Sequence, residues 1–309
     1  MSTSPLVSFI IPVFNREAYL PELIASIQAQ SYDAWEAVFV DDGSTDSSLK
    51  LLHQAANQDH RIRVFRRPSN RLAGGNTARN YGFELSKGLY VNFLDSDDYL
   101  HADFLKTKMA AFNVSTDGVV SQTYLVQAGV EEHQIEQRTQ ASLYSLDYFV
   151  QLKFKLLVWD VLWRKSYLAN LPQPLFTEAL RKGQDVDFHL RALLPNPTLA
   201  FIHQPLYYYR LTSNSITRKQ SDEMTVTVLD NQLDWIQQGL LLRLSPESVA
   251  CYFDRILGQL SLLKGNGIYF ARTATVLWDY RYNTNNQTKL ALRWVKELLG
   301  FLKRTILNR

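Results

Sequence analysis

Two aspartate-rich stretches hold the residue types best suited to chemistry. Asp95-Ser96-Asp97-Asp98 follows the apolar run Tyr90 to Leu94, and Asp41-Asp42-Gly43-Ser44-Thr45-Asp46 follows the run Ala37 to Val40. Carboxylates at i and i+2 just after a buried strand, here Asp95 and Asp97, can converge on a hard cation such as Mg2+ or Mn2+. Such a cation takes oxygen ligands and leaves positions for water and phosphate oxygens. An isolated Asp-x-Asp also suits a solvated turn; the second acidic strand end upstream favours the cation. In the DDGSTD stretch, Ser44 or Thr45 could cap a following helix, and Gly43 supplies a tight turn. That leaves two adjacent aspartates unexplained, and Asp42 is the better candidate for accepting a hydrogen bond from a ligand such as a nucleobase imide. Pro12-Val13-Phe14-Asn15 closes a third apolar run with a rigid turn and an aromatic ring. Asn70 to Asn80, with Gly74-Gly75 opening a helical segment and Arg79 one turn in, suits a phosphate or an ordinary capped loop. It lacks the Gly-x-Gly-x-x-Gly spacing of a dinucleotide site, which disfavours a nicotinamide enzyme.

These residues need a frame that gathers strand ends. Val7 to Val13 is a near-continuous apolar run, the pattern of a strand covered on both faces. Helical spacing follows over Glu17 to Gln30, a strand over Ala37 to Val40, a helix over Ser44 to Asn57 and a strand over Ile62 to Phe65. Asn76 to Ser86 reads as a helix, Tyr90 to Leu94 as a strand, Ala102 to Phe112 as a helix and Val119 to Val126 as a strand. Repeated βα units of this length predict an α/β fold with a mostly parallel sheet flanked by helices. Ligands of such sheets bind beyond the carboxyl ends of the strands, where the aspartates fall. Further on, Ser145 to Leu157 is expected to be helical, Val158 to Trp163 strand-like, Gln184 to Leu194 helical and Leu206 to Tyr209 a short strand. From Asp222 only helical patterns remain. The expected division is a catalytic body over 1–218 and a helical extension over 219–309.

Composition narrows the classes. With 309 residues, 46% hydrophobic and 20% charged, the chain is of ordinary globular type. The single cysteine, Cys251, excludes a disulfide framework and a cysteine-rich zinc site. A net charge of +3 does not suggest a nucleic-acid binder. No apolar stretch is long enough to span a membrane, and the N-terminal run lacks the features of a signal peptide, so a cytoplasmic location is expected. The charge is unevenly placed: six basic residues and one acid from Lys289 onward give +5, leaving −2 for the rest. On a helical wheel, Trp294, Leu298, Phe301 and Leu302 share one face, and Lys289, Arg293, Lys296, Lys303 and Arg304 the other. Such a helix over 289–309 either docks on the body or lies on an anionic membrane surface.

Four stretches taken in order, VSFIIPVFN, DDGSTD, AGGNTARNYG and GLYVNFLDSDDYL, resemble the inverting family-2 glycosyltransferases of the GT-A fold. The resemblance covers residues 6 to 113, with weaker matches to about residue 217. It implies transfer of a sugar from a nucleotide-sugar donor, with uridine the usual base, to a hydroxyl of a glycan or lipid-linked acceptor in surface polysaccharide synthesis. Pro12, Val13 and Phe14 would line the base pocket, with Asp42 reading the base. Arg79 would lie near the nucleotide, Asp95 would approach the ribose with Ser96 beside it, and Asp97, with Asp95, would hold Mg2+ or Mn2+ at the diphosphate. In Gly183-Gln184-Asp185-Val186-Asp187-Phe188, Asp185 falls on the position of the general base. Gln184 stands where relatives carry glutamate, and Asp187 is expected on the helix surface. Thr212 stands where relatives often carry a histidine after Tyr207-Tyr208-Tyr209-Arg210. Trp159, Asp160 and Trp163 fall where relatives shape the acceptor side, although buried aromatics explain the two tryptophans equally well. The competing classes are a non-catalytic nucleotide-sugar or glycan binder and a metal-dependent phosphatase. The late position of the Asp-x-Asp strand argues against the phosphatase.

Overall fold

A computed structural model describes residues 4–127, 134–136, 145–211 and 221–263, together with 269, 273, 275 and 276. The chain divides into two compact units: Met1–Tyr144, Phe154–Ala179 and Gly183–Ser215 form the first; Ser145–Lys153, Leu180–Lys182 and Ile216–Arg309 the second. The tail at 289–309, Thr212 and Ser215 to Thr217 lie outside the described residues.

The first unit is built on one sheet. Strands β1 (Val7–Val13), β2 (Trp35–Asp41), β3 (Ile62–Arg66) and β4 (Tyr90–Phe93) are joined through helices α1 (Leu20–Gln28), α2 (Ser48–Gln58) and α3 (Gly75–Leu85). All seven residues of β2 and six of the seven in β1 are buried, as both-face coverage by helices requires. The four strands pair in parallel in the order β3-β2-β1-β4. The chain therefore builds outward from β1 to one side, then returns to pair β4 with its other edge. That reversal opens a crevice at the carboxyl ends of β1 and β4. Gly82 lets α3 approach β1 closely: a Cβ there would lie 2.5 Å from Ile10 Cγ2.

Beyond β4 the pairing changes character. The sheet continues through β8 (Val161–Arg164), β6 (Gly118–Val126), β9 (Leu199–Arg210) and β5 (Tyr99–Leu100), with β7 (Gln134–Glu136) pairing β6. Here β8 runs antiparallel to both β4 and β6, β5 antiparallel to β9, and β6 parallel to β9. The mostly parallel sheet expected from the βα repeats is found over β3-β2-β1-β4 and again between β6 and β9, with antiparallel pairs at β8, β5 and β7. Strand β9 is far longer than the expected Leu206–Tyr209 segment. Its register against β6 shifts twice around Gln122, which faces Pro205, a residue with no N–H for the ladder.

Helix α4 (Phe104–Ala110) packs on this side, α6 (Lys165–Ala169) follows β8, and α7 (Gln184–Leu193) precedes β9. Phe93 of β4 meets Phe176 and Phe188 edge-on at 4.9 and 5.5 Å, and those two rings stack at 4.5 Å. This aromatic cluster fixes α7 and the 176–178 segment against the sheet.

The second unit contains α5 (Leu146–Val150), α8 (Asp222–Gln237) and α9 (Pro246–Leu262). The helix expected over Ser145 to Leu157 stops at Val150, because Leu152 turns left-handed (φ 59°) and Lys153 N–H closes onto the Tyr148 carbonyl. Ser221 and Ser245 cap α8 and α9 through their hydroxyls. No helix among the described residues is long and apolar enough to cross a membrane.

Candidate active site

The ends of β1 and β2 are locked together by side chains. Asn15, in the left-handed region (φ 50°), accepts from Thr45 N–H at 2.8 Å, and its own N–H donates to Ser44 Oγ at 3.0 Å. Arg16 N–H donates to Ser48 Oγ, Glu17 N–H to Asp46, and Ser47 N–H to Glu17. Ser44 and Thr45, which the sequence offered as helix caps, instead cross-link two loops; α2 begins after Ser47 with no side-chain cap. The two aspartates divide their work. Asp41 is fully buried and accepts from the N–H groups of Gly43 and Ser44, closing the turn in which Gly43 takes a φ of 93°. Asp42 is thereby left to the crevice and pairs with Arg67 at the end of β3. Pro12 and Val13 sit inside the strand, and the Phe14 ring is 51% exposed beside them.

The end of β4 carries the acidic group. Ligand oxygens of Asp95, Asp97 and Asp98 all lie within 4.8 Å of one another. Each has a separate environment. Asp95 accepts from Arg79 Nη2 at 2.6 Å; Arg79 is buried on α3 and also reaches Asn76 Oδ1. Asp97 lies 3.6 Å from Arg16 Nη2, and its carboxyl is raised by burial and then by the charge of Asp95. Asp98 is fully buried, accepting from Tyr207 Oη at 2.7 Å and from Arg210 N–H at 2.8 Å. Burial and its two acidic neighbours push it well above the ordinary carboxylate range. Ser96 is buried between Asp95 and Asp97. This donor set consists only of oxygens and is crowded enough that its own charges oppose ionisation. It fits a hard divalent cation at Asp95 and Asp97, with Asp98 committed to β9.

Asp185 stands in the first turn of α7, after Gly183 with φ 78°. Its Oδ1 accepts from Val158 N–H at 3.1 Å. Burial, followed by the charge of Asp95, pushes its pKa up to about 6, so the acidic loop and the base candidate share one electrostatic site. Asp187, expected on the surface, is instead buried: it accepts from Thr177 Oγ1 at 2.8 Å and pairs with Arg191. That arrangement, with Asn76 and Asn80 bonded to the carbonyls of Thr177 and Phe176, ties α7 to α3. Trp159, Asp160 and Trp163 are all buried.

Four residues of the site have no role assigned from the sequence. Arg210 ends β9, Arg67 directly follows β3, Arg16 lies three residues past β1, and Tyr207 donates to Asp98. The three arginines occupy the same kind of position that singled out the aspartates, so the strand-end rule applied to basic residues finds them.

A family model described as "Glycosyl transferase family 2" matches residues 8–163. The chain belongs to glycosyltransferase family 2. An uncharacterised glycosyltransferase of Haemophilus influenzae is 32% identical over 217 residues, 69% of this chain and 82% of the relative. The O-antigen biosynthesis protein RfbC of Myxococcus xanthus is 40% identical over 116 residues, 36% of this chain and 9% of RfbC. Among solved structures, Staphylococcus aureus TarS bound to UDP-GlcNAc superposes with a TM-score of 0.60 at 23% identity, covering 74% of this chain and 66% of TarS. At that identity the likeness speaks for the GT-A fold alone. The acidic loop and the locked β1–β2 ends lie within the matched residues, and Asp185 lies beyond them.

Proposed function

We propose that this family-2 glycosyltransferase is a hexosyltransferase that moves a sugar from a nucleoside-diphosphate donor, of which a UDP-sugar fits best, to a hydroxyl of a glycan or lipid-linked acceptor, inverting the anomeric carbon. The observation that carries the reading is the placement of the exposed Phe14 ring, Asp42 and the carboxylates of Asp95 and Asp97 just past the carboxyl ends of the adjacent strands β1, β2 and β4. Pro12, Val13 and Phe14 form the wall on which the base lies. Asp42, paired with Arg67, accepts from an imide N–H, a donor that uracil offers and cytosine lacks. The bound UDP-GlcNAc of TarS supports a donor of this kind.

Asp95 and Asp97 would hold Mg2+ or Mn2+, which would supply positive charge against that developing on the departing nucleoside diphosphate. Arg79 fixes Asp95 in place, and Asp95 also faces the ribose. Asp185 then takes the proton from the acceptor hydroxyl, whose oxygen attacks the anomeric carbon as the bond to the diphosphate breaks on the opposite face. A pKa near 6 suits that work at neutral pH: the group is ionised, yet basic enough to accept a proton. Gln184, beside it, keeps the hydrogen-bonding reach of glutamate without its charge.

The name of RfbC supports a cell-surface glycan as the setting. A catalytic body at 1–218 and a helical extension at 219–309 go with this reading. So does a cytoplasmic location, with the charge segregation of 289–309 supporting contact with the inner face of the membrane.

The test is a panel of UDP-GlcNAc, UDP-glucose, UDP-galactose and GDP-mannose with Mn2+ or Mg2+, following binding and slow donor hydrolysis. The expected result is cleavage of one donor only when the metal is present, lost in Asp97→Ala. Failure to bind any of the four overturns the reading.

A further inference from the structure

Behind the site lies a buried polar cluster that the proposed chemistry does not use. Lys108 of α4 has no exposed surface, a rare state for a lysine, which is almost never fully buried unless paired. Its Nζ donates to the main-chain carbonyl of Asp160 at 2.7 Å and lies 4.3 Å from the centre of the Phe104 ring. Asp160 is equally buried. Its Oδ1 accepts from Thr123 Oγ1 at 3.1 Å and its Oδ2 from Leu157 N–H at 2.7 Å. Asn92 Nδ2 donates to the carbonyl of Trp159 at 3.1 Å. Three separate elements, α4, β4 and β6, therefore grip the turn 157–160 from behind.

The front of that turn faces the site. Val158 N–H is the donor that holds Asp185 Oδ1. The Trp159 indole stacks on Tyr207 at 5.0 Å and on Tyr209 at 5.1 Å, and Tyr207 is the residue bonded to Asp98. One short turn thus touches both the base candidate and the partner of the acidic loop.

A lysine amine and an aspartate carboxylate buried in one core cluster, with the amine on a main-chain carbonyl, are costly if the aim is stability. Well-packed apolar residues of similar volume usually do as well or better, so such a cluster is better explained by the geometry it imposes. Burial pushes the Lys108 amine down to about 7, against the opposing pull of Asp160. Neutral or charged, the amine still has an N–H for the Asp160 carbonyl.

We infer that Lys108, with Asp160, is a positioning residue for transfer: it fixes the 157–160 turn so that Val158 N–H orients Asp185 and leaves Oδ2 free for the acceptor hydroxyl. The inference rests on the proposed reading of Asp185 as the base.

The experiment compares Lys108→Met, Lys108→Gln and the double variant Lys108→Met/Asp160→Asn with the full wild-type chain. Four quantities are read: thermal midpoint, UDP affinity with Mn2+, turnover and KM for the donor that wild type hydrolyses, and the Val158 amide resonance in 15N-valine-labelled protein, assigned with Val158→Ile. The double variant should fold at least as stably as Lys108→Met. Both should keep UDP affinity and KM within about twofold, lose about tenfold or more in turnover, and move the Val158 amide resonance upfield as its bond to Asp185 is lost. Lys108→Gln, which keeps a donor, should recover part of both changes, and it carries the test if Lys108→Met does not fold.

Wild-type turnover with an unmoved Val158 resonance overturns the inference. So does a parallel fall in UDP affinity and turnover, the mark of a general structural loss. If wild type neither binds nor cleaves any donor, the reading of function has failed instead, and the Val158 resonance still decides whether Lys108 controls the turn.

Discussion

The two halves of the sheet are built on opposite plans. On the nucleotide side, β3-β2-β1-β4, each strand is joined to the next through one helix, and its apolar run can be read directly. On the other side, β8-β6-β9-β5, neighbours come from positions far apart in the chain. Gly118 of β6 meets Trp163 of β8 on one edge and Leu199 of β9 on the other. The first half holds its loops by contacts between adjacent strand ends, such as Asn15 with Thr45. The second holds them with buried polar groups, such as Asp98 with Tyr207, more than a hundred residues apart. In the proposed function the first half holds the donor and the second shapes the acceptor side, so changes in the second should disturb donor binding less.

The largest expected effect tests that separation at the base. Asp185→Asn keeps the size and one oxygen for Val158 N–H but cannot take a proton. Turnover should fall by about 10²–10⁴-fold, the usual contribution of a general base, with UDP affinity unchanged. The pH profile gives the sign independently. Burial and the charge of Asp95 favour the protonated form, so Asp185 ionises near 6 rather than near the ordinary value of 3.8. Turnover should climb about tenfold per pH unit below that point and level off above it. A cation at Asp95 removes the second cause and shifts the limb downward. Loss of the limb in a single-turnover assay of Asp185→Asn is the decisive reading; a limb that persists assigns the base elsewhere.

A second prediction strikes the nucleotide half through its packing. The missing Cβ of Gly82 is what lets α3 lie against β1, and a methyl group there would sit 2.5 Å from the Ile10 side chain. Gly82→Ala should cost about 1–3 kcal/mol of stability, read from denaturant unfolding, through overpacking that outweighs the helix propensity gained. Because α3 also carries Arg79, the partner of Asp95, UDP affinity should fall as well. A variant as stable as wild type would mean that the helix can move away from the strand at no cost.

Legibility in the sequence follows the same divide. Strands β1, β2 and β4 appear in the apolar runs because burial on both faces leaves an uninterrupted signal, and β3 and helices α1 to α3 follow because the connections are local. The strand ends then locate Asp42, Asp95 and Asp97 with no further information. Strand β9 was reduced to its last residues because Pro205 and the double register shift break the pattern a strand is recognised by. Asp187 was misplaced on the surface because helical spacing says nothing about Thr177 and Arg191, which receive it in the interior. Lys108 gave no signal, since a charged residue that enters a core looks like a solvated one, and Asp160 was marked only by the resemblance. Asp185 was reached through family resemblance alone; a lone aspartate at a helix start has no local mark of catalysis.

The smallest predicted effect lies where the two halves meet. Asp98 belongs to the acidic loop of the nucleotide half, but its partners, Tyr207 Oη and Arg210 N–H, come from β9. By spacing alone it is as good a cation ligand as its neighbours, and its oxygens lie within the same 4.8 Å group. Its burial argues otherwise. A carboxyl pushed well above its usual range resists giving up its proton, and so resists taking on the charge that a cation needs, and both of its oxygens already accept a bond from β9. Asp98→Asn keeps one oxygen for Arg210 N–H and presents an amide that Tyr207 Oη can accept from. Mn2+-dependent UDP affinity should therefore change less than about threefold, whereas Asp97→Ala abolishes the metal dependence. Calorimetric titration of UDP with and without Mn2+ separates the two roles. A loss in Asp98→Asn equal to that of Asp97→Ala would make Asp98 a ligand, and the junction between the halves would then be part of the cation site rather than the clamp that aligns it.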